Sequence, residues 1–271
     1  MWALAAWAGG DACDLLAPQL SALTAVSVTQ VFDGDTLQLK DGRKVRLIGV
    51  NTPELAHHDR PEEPLGKAAA EMLQRWQGKS LKLQVGQESR DRYGRVLGHV
   101  FSLQGENITA RLLAEGLGFP VTIPPNTAFA DCYRNAARHA EQQGKGVWHH
   151  GYFRWRSPSL EADLKGGFGR YRGQIERVKV TQKVIWIDFV GDLSLRIARQ
   201  DLSYVEGGVL NRLLQAVDER RVARLPQLEV SGWVVDRTQW GAKMAQQVAA
   251  GKRNRWQLSI RHRNHWQWST P

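Results

Sequence analysis

Between residues 26 and 101 apolar and polar positions alternate in short runs, the period-two pattern of strands with one buried face. The runs occupy 26–31, 36–39, 44–48, 81–85 and 96–101. Asp41-Gly42, between the second and third, suits a tight hairpin turn because both residues tolerate positive φ. Helical periodicity intervenes at 66–77, where Ala69, Met72, Leu73 and Trp76 recur three and four apart. It returns at 108–115 and 128–143, each ended by a glycine, Gly116 and Gly144. Five strands and three helices predict a mostly β fold with α, a five-stranded Greek-key barrel of the OB-fold kind.

The pattern starts again after about residue 150. Strands are expected at 172–180, 184–190 and 193–198, a helix at 208–223, and strands at 227–235 and 255–260. Three strands, a helix and two strands is again the OB order, so a second, OB-like β-barrel domain is expected. Trp186, Trp233 and Trp256 fall at alternating strand positions and are expected in its core.

Charge supports the same division. Residues 1–150 hold 16 basic and 16 acidic side chains, whereas 151–271 hold 21 and 11, so the second part carries the whole net charge of +10. Seven of the eleven Trp lie there too. The expected domains are an extension over 1–25 outside the fold, a first domain over 26–150 and a basic, Trp-rich one over 151–271. A basic surface interleaved with indoles suits a polyanion, and residues 252–268 show that interleaving best. Nucleic-acid binding is the favoured role, with packing against the first domain or binding to an anionic envelope as alternatives. No run of eighteen apolar residues occurs, so no membrane span is expected. Residues 1–10 are small and apolar without a positive n-region, and read equally as the remnant of a signal peptide or as an extension. Cys13 and Cys132 are the only cysteines and lack zinc-site spacing; they either form a disulfide or are two reduced thiols.

Candidate chemistry is concentrated in the first domain. Asp33-Gly34-Asp35-Thr36 places two carboxylates around a flexible glycine, the kind of oxygen ligand that a hard divalent cation takes. Arg46 lies in a strand, with Asn51-Thr52-Pro53-Glu54 just beyond it, and Asp91-Arg92-Tyr93-Gly94-Arg95 forms a turn that offers a second arginine. The histidine pairs His57-His58 and His149-His150 have no metal-site partner spacing and read as surface loops, and 59–63 reads as a charged loop before the first helix.

Taken together, residues 31–39, the segment VRLIGVNTPE at 45–54 and DRYGR at 91–95 resemble the staphylococcal nuclease (thermonuclease-like) family in order and spacing. The likeness runs over about 26–148. It implies an OB-fold nuclease that hydrolyses DNA and RNA, preferably single-stranded, to 3′-phosphate products with calcium. Asp35 would be a calcium ligand, Asn51 would occupy the second carboxylate position and Thr52 would offer its backbone carbonyl. Arg46, Glu54 and Arg95 match the catalytic trio, Tyr93 a tyrosine near the nucleotide phosphate, and Asp33 a support of the loop. Two positions depart from the pattern: Asn51 stands where aspartate is usual, and Val121 and Ile123 stand where tyrosines often line the nucleotide pocket. The alternative is a weak or inactive nuclease fold kept as a nucleic-acid-binding scaffold. The resemblance implies a protein that works outside the cytoplasm, and the possible disulfide and the apolar N-terminus fit that, so an exported, extracytoplasmic (periplasmic or secreted) protein is expected, and a monomer.

Overall fold

The computed structural model describes residues 13–56 and 61–270, in two compact units, Met1–Tyr152 and Phe153–Pro271. The expectations for residues 1–10, for His57-His58 and for Asp59 lie outside the described residues.

Unit 1 contains α1 (Ala17–Ser21), β1 (Thr24–Val31), β2 (Thr36–Leu39), β3 (Lys44–Leu47), β4 (Val50–Asn51), α2 (Gly66–Gln74), β5 (Ser80–Arg90), β6 (Val96–Phe101), α3 (Ile108–Ala114), β7 (Phe119–Pro120) and α4 (Ala130–Gln142). Five strands close a barrel in the order β1-β2-β3-β6-β5, with β3 and β6 parallel and the other neighbours antiparallel. β4 and β7 form a separate short pair in which Asn51 faces Phe119. Alternation, shifted by one residue at an irregularity in β1 between Val28 and Gln30, sends Val26, Val28, Val31, Leu37, Leu39, Val45 and Leu47 into the barrel, where they meet Leu73 of α2, Leu112 and Leu113 of α3 and Tyr133 of α4. Asn107 caps α3 by accepting from the Ala110 amide. Its Nδ2 donates to the Tyr133 hydroxyl, which also contacts Nδ1 of buried His99 at 2.7 Å. Gly49, at φ +95°, leaves no room for a side chain, since a Cβ there would fall 2.2 Å from the Tyr133 ring.

The segment expected outside the fold belongs partly to this core. Cys13 is fully buried and Leu20 nearly so, and Cys13 is bonded to Cys132 of α4, with Cα atoms 5.7 Å apart. Apolar residues of the extension thus find a buried place that periodicity alone does not reveal.

Unit 2 contains β8 (Gly167–Gly173), β9 (Ile175–Val180), β10 (Val184–Phe189), β11 (Leu193–Ala198), α5 (Leu202–Val205), α6 (Gly208–Asp218), β12 (Leu228–Asp236), α7 (Ala242–Ala249), β13 (Trp256–Ser259) and β14 (Trp266–Trp268). The single strand expected at 172–180 is two strands meeting at Gln174: β8 pairs with β12 and β9 with β10. Taking β8 and β9 as one bent strand, the pairing runs β9-β10-β11-β13-β12-β8, with β11 and β13 parallel. This repeats the strand order of unit 1. Ile185, Ile187, Leu193, Leu195, Val234 and Leu258 fill this second core. Trp186 and Trp233 are not in it: their neighbours Ile185, Ile187 and Val234 face inward, so alternation puts both indoles on the outer face. Trp256 is partly buried against the core.

Candidate active site

The hairpin β2–β3 and the start of β6 bring three separated stretches of sequence to one end of the barrel. Thr36 faces Arg46 across β2 and β3, and Arg46 faces Leu97 across the parallel pair β3 and β6. Arg95, just before β6, is therefore delivered beside the first residues of β2. Gly34 lets the loop before β2 lie against its neighbours, because a Cβ there would meet Ala69 of α2 and Thr52 at 2.5 to 2.8 Å.

Asp35 is buried and forms the hub. Its Oδ2 accepts from the Thr52 amide at 3.2 Å and from the Thr52 hydroxyl at 3.1 Å, and pairs with Arg46 Nη2 at 2.9 Å. Its Oδ1 accepts from the Thr36 hydroxyl at 3.0 Å, whose oxygen takes a longer contact of 3.4 Å from Arg95 Nη1. Asp35, Thr36, Arg46, Thr52 and Arg95 are thus joined by one continuous set of contacts. Arg46 is locked in place, since Nη1 donates to the carbonyls of Leu47 and Val50, both at 2.9 Å. Arg95 is held by Asp91, whose Oδ2 takes its Nε at 2.7 Å. That pairing engages the inner nitrogen and leaves Nη1 directed at Thr36.

Asp33 supports the loop, its Oδ1 accepting from the Asp35 amide at 2.9 Å. Burial, and then the neighbouring charge of Asp35, push its carboxyl up to about 7. Burial acts to raise Asp91 as well, yet the hydrogen bonds from Arg95 and from the Arg95 and Tyr93 amides bring it below the usual range and keep it an anion.

The other expected site residues stand further out. Asn51 is half-buried in β4. Glu54 is exposed, two residues beyond buried Thr52, and its main chain is clasped by Glu63: the Glu54 amide donates to Glu63 Oε2 at 3.1 Å, and the Glu63 amide donates to the Glu54 carbonyl at 2.9 Å. The Tyr152 hydroxyl donates to the second Glu63 oxygen at 3.2 Å. No signal in the sequence singled out Glu63 or Tyr152, because a clasp across eight residues has no periodicity. Tyr93 is 69% exposed on the β5–β6 turn; its hydroxyl accepts from Arg92, and the guanidinium carbons of Arg92 and Arg95 lie 4.7 and 5.5 Å from its ring centroid. Val121 is buried, whereas Ile123 is exposed. Among the described residues no group of three His, Cys, Asp or Glu side chains could hold a metal ion, and no helix is long and apolar enough to cross a membrane.

Comparison with known proteins shows the family of the chain. The family model described as staphylococcal nuclease homologue matches residues 44–150. The chain is 35% identical over 125 residues to a thermonuclease of Staphylococcus intermedius, covering 45% of this chain and 74% of that protein. It is 34% identical over 125 residues to a thermonuclease of Staphylococcus hyicus, covering 45% and 73%. Endonuclease YhcR of Bacillus subtilis is 30% identical over 174 residues, which cover 59% of this chain and 14% of that one. The chain belongs to the staphylococcal nuclease family and is a nuclease, a hydrolase of phosphodiester bonds.

Proposed function

We propose that this nuclease is calcium-dependent, takes DNA and RNA with preference for single strands, and leaves 3′-phosphate products, with unit 2 assisting nucleic-acid binding. The observation that supports this most is the run of contacts from Arg46 through Asp35 and Thr36 to Arg95, which gathers two guanidinium groups and a buried carboxylate around one point. The donor set suits a hard cation: Asp35 carboxylate, Asn51 amide oxygen and Thr52 backbone carbonyl are all oxygen ligands. The two carboxylates Asp33 and Asp35 crowd each other there, an arrangement that a positive charge relieves. Bound by these residues, calcium supplies charge neutralisation at a phosphate oxygen and a template for water.

The side chains do the rest. A diester phosphate carries negative charge that repels an incoming water, and more charge accumulates on its oxygens in the pentacoordinate transition state. Arg95, held by Asp91 through Nε, offers its two outer nitrogens to those oxygens, and Arg46, fixed by the Leu47 and Val50 carbonyls and by Asp35, directs its positive charge at the same point. Pre-set donors stabilise the transition state without reorganising at the moment of reaction. Glu54 orients the water and takes its proton, a role worth about 10² to 10⁴ in rate. Tyr93, exposed and flanked by two guanidiniums, contacts the nucleotide phosphate. Export to an oxidising compartment is the proposed location, supported by the Cys13–Cys132 bond.

The purified 271-residue chain incubated with labelled single-stranded DNA is expected to degrade it with calcium and to stop with a chelator. Glu54→Gln and Arg95→Ala are expected to lower the rate by about 10² or more. Cleavage indifferent to chelator, or equal rates in all variants, would reject these assignments. Binding without cleavage would make the protein a scaffold.

A further inference from the structure

The Trp-bearing tail that the sequence singles out does not offer stacking surfaces: Trp266 is buried and Trp268 packs against the core of unit 2. Another surface does. On the outer side of the sheet, strand pairing sets Lys179, Trp186, Arg196 and Ser259 in one row across β9, β10, β11 and β13. Neighbouring strands are about 4.8 Å apart, so a cation, an indole and a second cation follow at that spacing. Lys179 is exposed, and Trp186 and Arg196 are half-buried.

Next to this row lies a polar set that the protein leaves incompletely satisfied. Arg237 follows β12 and reaches toward β10, its guanidinium carbon 5.3 Å from the Trp186 ring centroid and 5.8 Å from that of Trp240, which is itself exposed. Arg237 is 3% exposed; its Nη1 donates to the Asn254 carbonyl, while its Nε has no hydrogen-bond partner among the described residues. Gln257, 5% exposed and paired between Ser194 and Val235, holds an equally unmatched Oε1. A buried donor or acceptor without a partner is destabilising, so a ligand that supplies both partners gains what the protein alone leaves unmade.

We propose that this outer face, centred on Trp186 and Arg237, binds a single-stranded polynucleotide. Bases stack on the indoles of Trp186 and Trp240, Lys179 and Arg196 take flanking phosphates, and Arg237 and Gln257 meet polar edges of a base. The inference rests on the reading that unit 2 assists nucleic-acid binding and specifies where it does so. Base-on-indole stacking requires unpaired bases, which is why a single strand and not a duplex is the ligand.

The test uses the full chain in chelator, with binding of a fluorescent oligothymidylate followed by anisotropy over a range of salt. Trp186→Ala is expected to weaken binding by about fivefold or more, as loss of one stacked base does. Lys179→Glu, an exposed change that leaves the core untouched, is expected to lower the slope of log affinity against log salt by about one or more. Arg263→Glu in the tail is expected to change little. Hydrolysis of a small nitrophenyl phosphodiester with calcium is expected to stay at the wild-type rate in all three. Should Trp186→Ala fail to fold, Lys179→Glu carries the result alone. If Arg263→Glu weakens binding while the two face variants do not, unit 2 still binds nucleic acid but this face is not the site. If no variant, tail or face, changes affinity or salt slope, the reading of unit 2 falls together with the inference. If the face variants lose binding to phosphatidylglycerol vesicles and keep it for oligonucleotide, the surface is a lipid site and the proposal is overturned.

Discussion

Asn51 lies in the short strand β4, one residue before Thr52, whose amide and hydroxyl both hold Asp35. Its neutral amide leaves the proposed cation with less negative charge than a carboxylate there would provide. Two unit charges about 4 Å apart in a partly buried setting interact by about 4 kcal/mol, of which solvent and geometry leave a fraction. Asn51→Asp is therefore expected to lower the calcium concentration for half-activation by about tenfold, measured as initial rate against free calcium. An unchanged or raised requirement would remove Asn51 from the ligand set. His99 makes a different prediction. Burial holds its imidazole down at about 4 against an ordinary 6.5, so the folded protein keeps it neutral, consistent with Nδ1 accepting from Tyr133. Between these values the unfolded chain binds a proton that the folded chain does not. Stability is full above pH 6.5 and falls as pH drops toward 4, by about 3 kcal/mol in all. Urea titrations of the wild type across this window should show that slope, and His99→Gln should flatten it.

At the scale of elements, the connection between β4 and α2 is closed by the two-way clasp of Glu54 and Glu63, with Tyr152 on the remaining Glu63 oxygen. The clasp fixes the backbone that carries the proposed base, and displacement of a catalytic group by about 1 Å can cost 10²-fold. Glu63→Ala is expected to lower kcat by roughly tenfold to a hundredfold with KM little changed, whereas Glu63→Gln, which keeps an acceptor oxygen, is expected to retain most activity. Equal kcat in Glu63→Ala and wild type would show that Glu54 needs no such support. Such long-range clasps are what the sequence conceals. Local patterns were readable where one face is buried and the turn chemistry is sharp, as in β1, β2 and β3 around Asp41-Gly42, whose glycine takes φ +87°. They misled where burial and period part company. Trp186 is a large apolar residue on the outside of a strand, and the strand expected at 172–180 changes partners at Gln174. α7, for which the pattern gives no expectation, buries none of its residues fully. For the site, Asp35, Arg46 and Arg95 were legible as motifs, but the direct pairing of Arg46 with Asp35 and the link of Arg95 to Asp35 through Thr36 are products of register between β2, β3 and β6.

At the scale of the whole molecule, each unit has its own hydrophobic core, and both cysteines belong to unit 1. The Cys13–Cys132 bond joins residues 119 apart in sequence, and so closes nearly the full span of that unit. Chain-entropy reasoning assigns a loop of this length about 5 kcal/mol, an upper figure because unfolded chains keep some structure and measured values run from about 2 to 5. Unit 2 has no cysteine, so no disulfide supports its core around Ile187, Leu195 and Leu258. Separate cores need not unfold in one transition. Hydrogen exchange read separately over the two units should therefore show that reductant, or Cys13→Ser with Cys132→Ser, speeds exchange in β1, β5 and α4 and leaves β10, β11 and β13 unchanged. Equal acceleration in both units would mean that they unfold as one, and no change in either would mean that the bond contributes nothing to folding. Because reduction also frees the segment that leads into β1, nuclease activity is expected to become more heat-labile under reductant, while oligonucleotide binding through the outer face of unit 2 keeps its thermal midpoint.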